Sequence, residues 1–171
     1  MNKIKVLMID DNVQLIEAVK EYFKSSKLIE IISSANDGLE GIKSIEKEIY
    51  DVIVLDLIMP KKDGLYVLDE MKKRNINKKV IVATSYNTQE VIREVSDYGV
   101  NYYILKPFDL SDLENRILAA DCPIFQLFTI PLELPIAIYI LLYLYTKDVV
   151  SNFYNMNPQL AFSFIFSFRF K

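Results

Sequence analysis

Apolar residues fall into two rhythms between residues 1 and 121. Short runs rich in β-branched residues alternate with stretches in which apolar positions recur every three or four residues. The first kind suits strands buried on both faces of a sheet, the second amphipathic helices. Lys5–Ile9 is the first run and stops on Asp10-Asp11-Asn12. Asn12 is a plausible helix N-cap, because its side-chain oxygen can accept from first-turn N–H groups. Leu15, Ile16, Val19, Tyr22 and Phe23 then share one helical stripe. Leu28–Ser33 predicts a second strand, and the turn Asn36-Asp37-Gly38 leads to a helix marked by Leu39, Ile42 and Ile45. Val52–Leu55 is a third strand ending on Asp56, after which Asp63-Gly64 opens a helix carrying Leu65, Leu68 and Met71. Lys79–Thr84 predicts the fourth strand. Val91, Ile92, Val95 and Tyr98 predict the next helix, closed by Gly99 where a left-handed cap favours glycine. Asn101–Leu105 predicts the fifth strand, running into Lys106-Pro107-Phe108, and Ser111-Asp112-Leu113-Glu114 reads as a capping box for a last helix through Ile117.

Five strands alternating with five helices over short connections predict a doubly wound α/β fold, a parallel sheet covered on both faces. In such sheets ligands bind outside the carboxyl ends of the strands. The residues at those ends are Asp10 and Asp11, Asp56, Thr84 and Lys106. Each alone is ordinary, since a lone Asp at a strand end is most often a turn or cap residue and a lone Lys a surface charge. Four strand ends supplying complementary groups are a different matter. Three carboxylates crowded on one edge repel unless a cation neutralises them. A magnesium ion suits one or two carboxylates, a carbonyl, waters and phosphate oxygens. A carboxylate nucleophile, a hydroxyl and a lysine around such an ion make a site for phosphoryl transfer.

Composition narrows the chemistry. The chain has 171 residues, a net charge of −3, no His and a single Cys. An intrachain disulfide and the usual zinc sites are excluded, which leaves a hard cation held by oxygen ligands. Mild acidity gives no electrostatic reason to expect direct nucleic-acid binding. Met1-Asn-Lys-Ile-Lys runs straight into the first strand, with no signal-peptide pattern, so a cytoplasmic location is expected.

These residues carry a resemblance. Residues 3–120 resemble a receiver domain of a two-component response regulator, through Asp10-Asp11, Leu55-Asp56-Leu57-Ile58-Met59-Pro60 followed by Asp63-Gly64, then Thr84 and Lys106-Pro107-Phe108. The resemblance implies a flavodoxin-like five-stranded parallel sheet in the order 2-1-3-4-5. It implies Asp56 as phosphoacceptor for a sensor histidine kinase or histidine phosphotransfer protein, and Mg2+ held by Asp10, Asp11, Asp56 and the Ile58 carbonyl. Thr84 and Lys106 would contact the phosphoryl group, and Tyr103 would be the switch aromatic. The Lys106–Pro107 bond would be cis, and a dimer through the fourth helix, fifth strand and fifth helix is implied as well. The Asp10-Asp11-Asn12 opening and the segment 101–109 look most like sporulation-controlling regulators, which are similar to stage 0 sporulation protein A. An aspartate-nucleophile phosphatase is the main rival, but such enzymes place a second Asp two residues after the first, where this chain has Ile58. A receiver-like fold used only for protein contacts is the other, and the complete acidic set argues against it.

The boundary near Ala120 is sharp. Residues 122–171 carry only Glu133, Lys147, Asp148, Arg169 and Lys171 as charges, and they hold no Gly. Pro123 to Tyr145 contains one charge, Glu133, and comes near the roughly 20 apolar residues a membrane span needs, although Pro131 and Pro135 interrupt it. Tyr139, Tyr143 and Tyr145 sit toward one end, as an interfacial belt would. Phe162–Phe170 alternates like a strand. Three readings stay open for this tail: a membrane segment through 123–145, a truncated or frame-shifted remnant of an effector region, or an interaction segment. Its few basic residues disfavour a DNA-binding effector.

Overall fold

The computed structural model describes residues 2–47, 49–86, 88–100 and 102–121. The readings of the tail therefore lie outside the described residues. Ten elements alternate along the described residues: β1 (Ile4–Ile9), α1 (Val13–Phe23), β2 (Ile29–Ala35), α2 (Gly38–Lys47), β3 (Val52–Asp56), α3 (Gly64–Lys73), β4 (Lys79–Thr84), α4 (Gln89–Ser96), β5 (Tyr102–Leu105) and α5 (Leu110–Asp121). All strand pairs are parallel, in the order β2-β1-β3-β4-β5, which is the expected flavodoxin-like sheet.

Strand periodicity sorts the core into two halves. Leu7, Ile9, Ile53, Leu55, Val80 and Val82 point to the face covered by α2, α3 and α4. Their alternating neighbours Val6, Met8, Val52, Val54, Ile81 and Ala83 point to α1 and α5. Both sets are buried, so the strands read as continuous apolar runs rather than alternating ones.

Helix starts follow local chemistry. The Asn12, Asp63 and Thr88 side chains accept from the N–H groups of Leu15, Tyr66 and Val91, capping α1, α3 and α4. Gly99 closes the α4 segment with φ of +79°. The capping box expected at Ser111 is not what opens α5. That helix starts at Leu110, and the N–H groups of Asp112 and Leu113 donate to the Asp109 carbonyl. Glu114 instead accepts from the Tyr22 hydroxyl at 2.9 Å, tying α5 to α1. A tertiary partner has taken the carboxylate that the local pattern assigned to the helix end. β2 also outruns its expected limit: Ser34 and Ala35 pair with Met8 and Ile9. Ser34 is tolerated there because, on this edge strand, it is only half-buried.

Candidate functional site

Parallel pairing brings four strand ends to one edge, and the register there matches the candidate residues. Asp56 ends β3 opposite Ala83, and Thr84 ends β4 opposite Leu105. The Lys106 N–H donates to the Thr84 carbonyl at 2.8 Å, carrying the ladder one residue past β5. Asp10 follows β1, and its N–H donates to the Ala35 carbonyl at 3.0 Å. Carboxylate oxygens of Asp10, Asp11 and Asp56 all lie within 4.8 Å of one another. Asp10 and Asp56 are buried whereas Asp11 is exposed, so the cluster has a floor and an open mouth.

Lys106 bridges the floor. Its Nζ donates to Asp10 Oδ2 at 2.6 Å and to Asp56 Oδ2 at 2.7 Å. β5 lies two strands from β3, about 10 Å at the usual inter-strand spacing, so only a long side chain can cross β4 to reach these carboxylates. The peptide bond after it, Lys106–Pro107, is cis, as expected. The second oxygen of each buried carboxylate is used locally: Asp10 Oδ1 accepts from the Asn12 N–H at 2.9 Å and Asp56 Oδ1 from the Ile58 N–H at 3.0 Å.

The electrostatics follow from burial. Desolvation raises the Asp56 carboxyl above its ordinary value, against the opposing pull of Lys106 and the Ile58 N–H, while Asp10 raises it further. For Lys106 burial favours the neutral amine, but Asp10 and Asp56 outweigh it and its value is raised. The ammonium is therefore firmly charged. Three carboxylates against one ammonium leave two negative charges in the cluster, all on hard oxygen donors. A divalent cation would bring that balance to zero, so the donor set fits magnesium.

Thr84 stands beside this group with its side chain buried. Its Oγ1 accepts from the Tyr86 N–H at 3.1 Å, which leaves the hydroxyl hydrogen free to donate elsewhere. Thr84 and Tyr103 both line a cavity of about 90 Å³, together with Leu57, Val82, Val91 and Ile92 among others. Tyr103 itself is half-buried on β5. The structure thus brings Asp10, Asp11, Asp56, Thr84 and Lys106 together, with Ile58 two residues beyond Asp56 and Tyr103 behind Thr84.

Residues 6–118 match the response regulator receiver domain family. The chain belongs to that family. The receiver is 32% identical to the receiver domain of the Francisella response regulator 1452, over 68% of this chain and 95% of that one, with a TM-score of 0.62. It is 28% identical to a LuxR-family DNA-binding response regulator from Staphylococcus aureus, over 69% and 98% of the two chains, at 0.64. A complex of CheX, CheY, BeF3 and magnesium from Borrelia burgdorferi is similar at 26% identity, over 69% and 89%, also at 0.64. Receiver domains are phosphoacceptor signalling domains, and phosphorylation on Asp is general to them. These relatives lend no support to the narrower likeness to sporulation regulators.

Three features of the receiver's site carried weaker signals in the sequence. Gly64 is required because a Cβ there would collide with the Asp56 carbonyl oxygen, so α3 starts directly under the acidic strand end. Gly38 is packed against the loop after β3 in the same way. The third is an ion pair between Asp37 and Lys61 at 2.6 Å, 24 residues apart and without a spacing pattern to reveal it. The Asp63-Gly64 dipeptide was a visible signal for the first of these. The last needed the tertiary fold.

Proposed function

We propose that this receiver accepts a phosphoryl group on Asp56 from a phosphohistidine of a sensor histidine kinase or histidine phosphotransfer protein. The observation that carries the reading is the Lys106 bridge across Asp10 and Asp56, beside a third carboxylate at Asp11. Asp10, Asp11, Asp56 and the Ile58 carbonyl would hold magnesium, which would supply positive charge to offset that of the phosphoryl oxygens. An Asp56 carboxylate oxygen attacks phosphorus in line, the bond from phosphorus to the imidazole nitrogen breaks, and the imidazole leaves with the electron pair. Lys106 then turns from two carboxylates to a phosphoryl oxygen, and Thr84 donates its hydroxyl hydrogen to another.

Relocation of Thr84 opens room toward the cavity that Tyr103 also borders. Tyr103 moving with Thr84 would pass the local charge change to α4, a two-state element biased from the site. α4 suits that role because Val95 is its one buried residue, the least anchorage of any described helix. A dimer through α4, β5 and α5 is the corresponding output surface. Ile58 supplies no acid or base near the phosphoryl group, which favours a stored phosphoryl over rapid hydrolysis and speaks against a phosphatase.

The test is direct. A small phosphodonor with magnesium should label the protein with one equivalent, detected by intact mass. Asp56→Asn should abolish the label. Label that survives this substitution, or turnover of many equivalents of phosphomonoester, would overturn the assignment.

A further inference from the structure

The loop from Leu57 to Asp63, which carries Ile58, is held by Asp56 at its start and from outside the acidic cluster beyond it. Lys61 has φ of +66°, and the Lys62 N–H donates to the Pro60 carbonyl at 2.8 Å, closing a three-residue turn around Lys61. A γ-turn of this hand at a residue with a side chain is strained, and surrounding contacts must hold it. Two contacts do so from Asp37 and Gly38, where α2 begins. The Lys61 Nζ donates to Asp37 Oδ2 at 2.6 Å, and the Gly38 N–H donates to the Lys62 carbonyl at 3.0 Å. Asp37 cannot follow the loop, since it is buried and its other oxygen accepts from the Glu40 N–H at 2.9 Å at the start of α2. At the near end, the Gly64 N–H donates to the Leu57 carbonyl at 3.1 Å, and Met59 is buried in the core. Ile58 lies between these anchors and is itself 43% exposed. Its N–H is fixed on Asp56 Oδ1 at 3.0 Å, and the turn at Lys61 fixes the loop on its other side.

We propose that Asp37 and Lys61 are a positioning pair that holds the Ile58 carbonyl in place for a divalent cation and so sets the magnesium affinity of the site. The inference rests on the reading of Asp10, Asp11, Asp56 and Ile58 as the cation's holders. Neither Asp37 nor Lys61 is among those holders. Outer groups that orient a coordinating atom commonly govern affinity in this way.

The sign of one substitution separates this role from charge alone. Removing the Lys61 ammonium lowers the positive potential near the site, so electrostatics by itself predicts tighter magnesium binding. Loss of positioning predicts weaker binding. Isothermal titration of magnesium into the full chain should show Lys61→Gln weakened about fivefold, a size between a surface pair and an outer-shell partner. Lys61→Arg should stay within about twofold of the starting protein, because the guanidinium can keep the pair. Asp37→Asn, whose amide oxygen can still accept from the Glu40 N–H, should weaken binding about as much as Lys61→Gln. The double variant should be no weaker than either single one. Unchanged or tighter binding by Lys61→Gln, in a chain that otherwise binds magnesium, would overturn the pair and leave the site standing. No magnesium binding by the unaltered chain would overturn both.

Discussion

Lys106→Met removes the one ammonium in the acidic cluster while keeping most of the side-chain volume. At an effective dielectric of about 20, contacts of 2.6 and 2.7 Å correspond to about 6 kcal/mol of attraction each. Most of this is offset in the intact protein by desolvation of the ammonium, so the gross sum is not the loss. What remains after substitution is buried Asp10 and Asp56 without their counter-charge, and breaking such a pair costs about 3–5 kcal/mol. We expect about 3 kcal/mol near neutral pH, the lower end, because Asp56 can take up a proton. Burial already holds its carboxyl above the ordinary value, with Lys106 pulling the other way. Without Lys106 the carboxyl rises further.

The pH dependence follows from that direction. A carboxyl raised in the folded state binds its proton more readily there than in the unfolded chain. Stability then falls as pH rises through the window between the ordinary Asp value, about 4, and the raised folded value. The penalty of Lys106→Met should therefore shrink as pH is lowered toward about 4. Saturating magnesium should restore most of it at neutral pH, since the cation replaces the missing charge. Urea unfolding of both proteins across this range, with and without magnesium, measures all three effects. A loss that is independent of pH and of magnesium would refute the reasoning, because it would make Lys106 a packing residue and nothing more.

Gly64→Ala should destabilise the protein by about 3 kcal/mol, since the new Cβ meets the Asp56–Leu57 backbone rather than a side chain that can rotate away. Thermal unfolding would show it, with magnesium affinity lowered in whatever folded fraction survives. Tyr103→Ala should leave phosphodonor labelling of Asp56 within about twofold and abolish any labelling-dependent change in α4, read by amide hydrogen exchange over residues 89–96. An exchange response that persists in Tyr103→Ala would remove that ring from the switch.

The amino-acid sequence by itself determined the element order, the parallel sheet and the set of groups at its carboxyl edge. The reason is that strands buried on both faces must be apolar throughout. A charged residue that ends such a run is conspicuous, as Asp56 after Val52–Leu55 shows. The cap at Asn12 was legible too, being an interaction of a side chain with backbone three residues away, and Asp63-Gly64 marked where the third helix opens. Glu114 was not, because its local pattern suited a capping box while Tyr22, distant in the chain, was the better partner. Only the tertiary structure decided that one lysine would span Asp10 and Asp56, leaving a charge deficit that a divalent cation fits. It likewise decided that Asp37 would hold the turn at Lys61. Pairs of this kind depend on where two loops meet across the sheet edge, and no periodicity along the chain encodes that distance.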